Sequence, residues 1–159
     1  MAMIGHCLRG LPDEACGLLM GRYGGEEAAR IFPTKNAAAS ALIYEIDPKE
    51  MLAADREAQG MGADIMGVFH SHTHTDAYPS PTDVAQASDP GWHYVLVSLR
   101  DTHPVVRSYT IVDGVIGEEP VVVPGLEGET GAGDTGAGDT GAGDTGAGEA
   151  GVGEPARSR

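Results

Sequence analysis

Long apolar runs are missing from this chain. Nothing in it approaches the ~18 continuous apolar residues that a membrane span requires, so no membrane partner is expected. Residues 1–11 lack a basic stretch followed by a long apolar one, and no secretory signal is predicted. Cysteine is scarce: Cys7 and Cys16 cannot build a disulfide framework, and a reduced, cytoplasmic protein is the simplest expectation. Positive charge is short as well, with 10 lysines and arginines against 24 acids and a formal net charge of −14. From Gly125 onward seven acids face only Arg157 and Arg159, which is −5 and leaves −9 on residues 1–124. An acidic body offers no electrostatic footprint for a nucleic-acid backbone. It suits a basic protein partner or small substrates, and it aids solubility.

What is present divides at about residue 124. Beyond it, Thr-Gly-Ala-Gly-Asp recurs from Thr130, Thr135 and Thr140, then decays through Glu149 and Glu154. A pentad of glycine, alanine, threonine and acid has no side chain able to form a core, so residues 125–159 read as a disordered low-complexity tail, solubilising or tolerated, with partner binding as the other reading. The spacing does not match the nine-residue calcium-binding repeat. Residues 1–124 are long enough to bury about two thirds of their unfolded surface in one domain.

Within that body the pattern predicts a short N-terminal helix at 1–9 and a firm strand at 15–21, with Gly24-Gly25 as a turn. Strands are predicted at 28–34 and 42–47. Asp47-Pro48 opens a helix with a cap and an N1 proline, Met51, Leu52, Asp55 and Ala58 supplying an apolar stripe beside charge, and Gly60 and Gly62 end it. The run Ile65-Met66-Gly67-Val68-Phe69 reads as a buried strand, and a short helix is expected from Pro81 to about Ser88. Residues 94–99 are nearly all apolar, the mark of a strand buried on both faces. Trp92 and His93, just before it, read as packing and strand-entry residues. Asp113-Gly114 predicts a hairpin turn between 105–112 and 115–116, and 121–123 an edge strand. The sum is an α/β (α+β) domain, a mixed β-sheet flanked by helices.

Chemistry concentrates at the end of the buried run. His70 and His72, two apart on a strand, project from the same face. In Ser80-Pro81-Thr82-Asp83, Ser80 stands at a helix cap with Asp83 in the first turn, near the two imidazoles. Two imidazoles and one carboxylate suit one Zn²⁺ per chain with an open position, the feature that separates a catalytic zinc from a structural one. Such a centre needs a base, for which Glu14 is the candidate, and an oxyanion donor, for which Ser80 is placed. Each residue alone has a plainer reading: Ser80 and Asp83 as a capping box, the histidines as satisfied strand-edge residues, Glu14 as an exposed acid. The combination favours the metal. His74 reads as a loop residue, since only His70 and His72 leave seven residues before Ser80. Ser71 points to the opposite side and supports the loop, and Cys16 reads as a small buried strand residue.

Glu14, then His70-Ser71-His72, seven residues, Ser80, two residues and Asp83, resembles the JAMM (MPN-plus) metallopeptidases. Over about residues 10–123 the likeness extends to Pro12-Asp13-Glu14-Ala15-Cys16-Gly17, Ala77-Tyr78-Pro79-Ser80, His93-Tyr94-Val95-Leu96-Val97-Ser98 and Asp113-Gly114, which look like the Mec-type bacterial branch. That resemblance implies a JAMM/MPN fold, zinc on His70, His72 and Asp83, and Glu14 and Ser80 as catalytic groups. It further implies a ubiquitin-like sulfur carrier ending in Gly-Gly as partner, and release of cysteine from the carrier–cysteine adduct. Phe69 and Tyr78 are candidate walls for the carrier's tail, with plain packing as the other reading of both. Trimming of longer extensions or isopeptide bonds, and a non-catalytic MPN binding module, are the other readings; retention of every ligand disfavours the last. DNA-repair-associated relatives share the histidine–aspartate pattern, but the acidic body argues against DNA. Members usually carry a strand and a longer helix ahead of the glutamate. This chain begins partway through that helix, which predicts a true start upstream of Met1.

Overall fold

The computed structural model describes residues 2–123, and the repeat tail lies outside them. Helix α1 (Ala2–Gly10) leads into β1 (Cys16–Gly21) and β2 (Ala28–Thr34); α2 (Pro48–Gly60) precedes β3 (Asp64–His72), and α3 (Pro81–Gln86) links it to β4 (His93–Ser98). A meander of β5 (Val105–Val112) and β6 (Val115–Glu119) completes one six-stranded sheet of order β2-β1-β3-β4-β5-β6. Only β3 and β4 pair in parallel, the α3 connection supplying the crossover that parallel neighbours need. The other neighbours are antiparallel, so the expected mixed sheet flanked by helices is the architecture found.

The strand pattern assigns the two faces. On one, Phe69, Val95, Val97, Leu19 and Ala15 pack with Cys7, and with Met3 and Ile4 of α1. On the other, Leu18 and Met20 meet Ala54 and Ala58 of α2, while Val68, Tyr94, Leu96, Tyr109 and Ile111 form the adjoining cluster. A shift of register opposite Leu19 and Met20 reverses the alternation, so Ile65 joins the α2 face and Met66 the α1 face, the opposite of what counting back from Phe69 would give. Gly17 is required where it stands, because a Cβ there would collide with the Phe69 ring and the Phe32 carbonyl. Asp113 (φ 51°) and Gly114 (φ 79°) make the left-handed pair of a tight hairpin.

Three expectations differ from the structure. Residues 42–47 are not a strand; only an isolated bridge between Asn36 and Ile46 remains. The reason is the side chain of Asn36. Its Nδ2 donates to the carbonyls of Glu14 (2.9 Å), Ser40 (3.3 Å) and Ile43 (3.0 Å), and its Oδ1 accepts from the amides of Ala38 and Glu45. These bonds satisfy backbone groups that a neighbouring strand would otherwise take. Alternation survives only over residues 43–46, where Tyr44 and Ile46 face the core and Ile43 and Glu45 are exposed; Leu42, in phase with Tyr44, is 78% exposed. In α2 the buried positions are Ala54 and Ala58, and Leu52 is half exposed. Residues 121–123 are exposed and unpaired with the sheet.

His93 confirms its packing role and adds a pH dependence. Its Nδ1 donates to the Glu119 carboxylate (2.9 Å), which also accepts from Ser108 Oγ, and its Nε2 donates to the Gly25 carbonyl (2.8 Å). Both nitrogens face acceptors, which favours the imidazolium form. Burial opposes that charge, but Glu119 and the Gly25 carbonyl outweigh it and raise the His93 pKa above 6.5. The folded pKa exceeds the unfolded one, so this stabilisation is complete below about 6.5 and is lost as pH rises through the raised value. A His93→Gln variant is expected to cost roughly 1 kcal/mol at pH 6, several degrees in Tm, and clearly less at pH 9. Melting curves of both proteins at the two pH values check it; an equal loss at both would remove the charge from the account.

Candidate metal centre

The histidine strand is positioned by its neighbours. On one side β1 places Cys16 opposite His70; on the other β4 places Leu96 opposite His70 and Ser98 opposite His72. Ser71 turns to the α1 face, where its hydroxyl accepts from the Ala15 amide (2.9 Å) and so fastens the start of β1 to the end of β3. Glu14 lies just before β1, and alternation from Cys16 puts it on the face that carries His70. Its amide donates to the Ser40 carbonyl and its carbonyl accepts from Asn36, so the backbone at Glu14 is fixed at both groups.

Residues 73–80 return the chain to α3, and polar contacts pin them. Ser98 Oγ donates to the Thr75 carbonyl (2.6 Å), Tyr109 OH to the Ala77 carbonyl (2.6 Å), and Arg100 pairs with Asp76 (2.6 Å). Helix α3 begins with a capping box: Ser80 Oγ accepts from the Asp83 amide (3.2 Å) and Asp83 Oδ2 from the Ser80 amide (2.6 Å). The helix is thereby aimed so that Asp83 reaches the histidines. The capping role foreseen for these two residues is realised, and it leaves Asp83 Oδ1 turned towards His70 and the Ser80 hydroxyl proton free of the cap.

Among the described residues, His70, His72 and Asp83 form a buried cluster whose potential ligand atoms all lie within 4.8 Å of one another. His70 Nε2 and His72 Nε2 are 3.1 Å apart, and they stand 3.3 Å and 3.4 Å from Asp83 Oδ1 and Oδ2. Ligands at 2.0–2.2 Å from a tetrahedral ion are separated by about 3.3 Å, so the two imidazole nitrogens and the carboxylate already have the spacing of a metal site. The tautomers agree. His72 Nδ1 donates to the Asp76 carbonyl (2.8 Å), which leaves the Nε2 lone pair directed at the cluster. His70 Nδ1 has no hydrogen-bond partner; the Tyr44 ring stacks on this imidazole instead, centroids 4.3 Å apart and 23° between planes. Tyr44 was not legible as part of the site, and only its position within the alternating 42–47 segment pointed inward.

Electrostatics separates the groups. Burial depresses the His70 pKa, outweighing its bond to Asp83, and keeps the ring neutral as a metal ligand must be. Burial opposes charge on His72 too, but the Asp83 carboxylate and the Asp76 carbonyl outweigh it and raise its pKa. Burial likewise works against the Asp83 carboxylate; its contacts with the two imidazoles in the metal-free site overcome this and hold its carboxyl well below the usual carboxylate range. Glu14 is the contrast. Burial pushes it up to about 7, with His72 drawing it down and Asp83 pushing it further up. It is 6% exposed, so the plain reading as a surface acid fails.

The remaining sequence candidates separate cleanly. His74 is exposed in the loop and outside the cluster. Cys16 is fully buried, its thiol 3.3 Å from Thr34 Oγ1. Tyr78 is 54% exposed, its ring edge-on to Tyr109 at 5.6 Å. Phe69 is the correction: it is completely buried in the core on the α1 face, opposite the histidines, and lines no groove.

A mixed sheet carrying two strand-end histidines and a capping aspartate fits the metal site of a JAB-type domain. Residues 1–112 match the family described as prokaryotic homologs of the JAB domain, and the chain belongs to that family. It is a JAMM-type peptidase. It is 47% identical over 123 residues to a CysO-cysteine peptidase of Mycobacterium tuberculosis, covering 77% of this chain and 84% of the relative. A desampylase of Haloferax volcanii is 36% identical over 88 residues, 55% of this chain and 63% of that protein. Among solved structures, a protein from Desulfitobacterium hafniense aligns with a TM-score of 0.69 at 36% identity, covering 76% of this chain and 85% of the other. No helix among the described residues is long and apolar enough to cross a membrane.

Proposed function

We propose that this protein is a zinc-dependent peptidase that hydrolyses the bond after the C-terminal Gly-Gly of a ubiquitin-like sulfur carrier, releasing cysteine for cysteine biosynthesis. The observation that carries the substrate is the 47% identity to a peptidase named for a carrier–cysteine adduct. The chemistry rests on the cluster, whose two imidazoles and one carboxylate suit zinc with an open position. Bound there, the ion would acidify a water and polarise the scissile carbonyl.

The chain's own groups supply the rest. Glu14, which burial raises to about 7 in the metal-free site, is poised both to accept a proton from the attacking water and to return it to the leaving amine. Water's oxygen joins the glycine carbonyl carbon, the C–N bond breaks, and the proton held on the Glu14 carboxylate moves to the nitrogen. The Ser80 hydroxyl accepts from the Asp83 amide and has its own proton to donate to the carbonyl oxygen as negative charge develops. Exposed Tyr78 is the group in residues 73–80 best placed to meet the carrier's tail.

The test is intact-mass spectrometry of a ubiquitin-like carrier extended beyond Gly-Gly by one cysteine, incubated with the zinc-loaded protein. Loss of one cysteine residue, abolished by a chelator, is expected. Cleavage confined to longer extensions or isopeptide-linked lysine, the activity suggested by likeness to the desampylase, would replace this substrate with that one.

A further inference from the structure

A cavity of about 390 Å³ opens beside Glu14, between the C-terminal half of α1 and the chain leaving β2. Its lining includes His6 and Arg9 from the helix, Asp13 and Glu14 from the segment before β1, and Lys35 and Asn36 after β2. The mechanism above does not use it. Its volume lies at the small end of small-molecule sites, about 300–1,000 Å³, which is room for a short leaving group and not for a folded protein.

The charge in this cavity is unusual for the chain. Only eight lysines and arginines precede Gly125, and two of them, Arg9 and Lys35, line this one space. Arg30, Arg100 and Arg107 are committed to ion pairs, whereas Arg9 and Lys35 form none among the described residues. They come from different elements, and the floor between them is fixed by the hydrogen bonds of buried Asn36. Asp13 and Glu14 contribute the opposite sign. A free amino acid carries both signs too: an α-carboxylate, and the α-nitrogen to which Glu14 delivers its proton.

We infer that this cavity is the leaving-group pocket, and that Arg9 and Lys35 bind the α-carboxylate of a substrate ending one residue beyond the scissile bond. The inference rests on the peptidase reading of the site and adds what that reading lacks, a determinant of leaving-group length. Glu14 is the residue that the cavity shares with the catalytic site; a nitrogen protonated by Glu14 would therefore lead into the cavity, with the α-carboxylate two bonds further along the same residue. A cation–carboxylate contact is strong when the acid is free and absent when it is an amide.

The experiment compares two semisynthetic forms of a ubiquitin-like carrier ending Gly-Gly-Cys, one with a free C-terminal carboxylate and one with a C-terminal amide. The zinc-loaded full chain is expected to cleave the free acid with a kcat/KM about tenfold or more above the amide, mostly through KM. In an Arg9→Gln/Lys35→Gln variant this ratio is expected to fall towards one. Binding of free L-cysteine, followed by amide NMR shifts, should weaken in the same variant, a readout independent of turnover. Equal cleavage of acid and amide by the unaltered protein overturns the pocket while leaving the peptidase intact. A variant that keeps the full acid-to-amide ratio overturns the assignment to Arg9 and Lys35. No cleavage of either form overturns the pocket together with the reading on which it rests.

Discussion

Glu14→Gln is expected to lower kcat by about a thousandfold while leaving the bound metal in place. Glutamine keeps the shape of the side chain and lies outside the ligand cluster, so metal content by elemental analysis should match the unaltered protein. The pH profile sharpens the test. Activity needs the carboxylate form, so the unaltered protein should lose activity as pH falls through the Glu14 pKa, which is about 7 without the ion and lower once its positive charge is present. The residual activity of the variant should lack that acid limb. Stability moves the other way. An acid raised from 4.5 to about 7 by burial binds more protons folded than unfolded across that window, so metal-free stability falls as pH rises through it. Glutamine escapes this cost, and metal-free Glu14→Gln is expected to melt above the unaltered protein at pH 8. A variant that hydrolyses at the original rate removes Glu14 from the mechanism.

That trade of stability against function explains what the sequence made legible. The metal cluster was readable because its members sit on regular elements with fixed periods: two residues along a strand for His70 and His72, and the first turn of a proline-started helix for Asp83. Turn chemistry was equally plain at Asp113-Gly114 and Asp47-Pro48, where side-chain type dictates backbone conformation. What escaped was nonlocal. Tyr44 meets His70 across 26 positions of chain, and nothing in the residues around Tyr44 marks it as the stacking partner of a ligand. Asn36 looked like a loop residue, yet its single side chain replaces a strand's worth of pairing and displaces the strand expected at 42–47. Phe69 shows the reverse: of its two readings, groove wall and plain packing, the second holds, because one step along a strand from His70 moves a side chain to the opposite face. Alternation was sufficient to exclude it.

Asp83→Asn separates the two roles that Ser80 and Asp83 share. Asp83 touches both histidines and also caps α3 through the Ser80 amide. Asparagine retains one oxygen, which can keep the capping bond, but it loses the negative charge and turns an N–H₂ donor towards imidazole nitrogens whose lone pairs should face a cation. Metal affinity is therefore expected to fall by about a hundredfold or more, beyond the 10–100-fold typical of outer-shell changes, and peptidase activity with it. Competition with a fluorescent chelator measures the first and carrier cleavage the second. Ser80→Ala is the complementary change. It removes the cap acceptor, at about 0.5–2 kcal/mol of stability, and the donor aimed at the carbonyl oxygen, while every ligand remains. Its expected signature is near-normal metal affinity with kcat lowered by about a hundredfold. If Asp83→Asn held its metal as tightly as the unaltered protein, the carboxylate would be a helix cap and no ligand. If Ser80→Ala lost only stability, the serine would be a cap and no oxyanion donor. The two variants thus decide, residue by residue, whether the Ser-x-x-Asp turn is built for the helix or for the reaction.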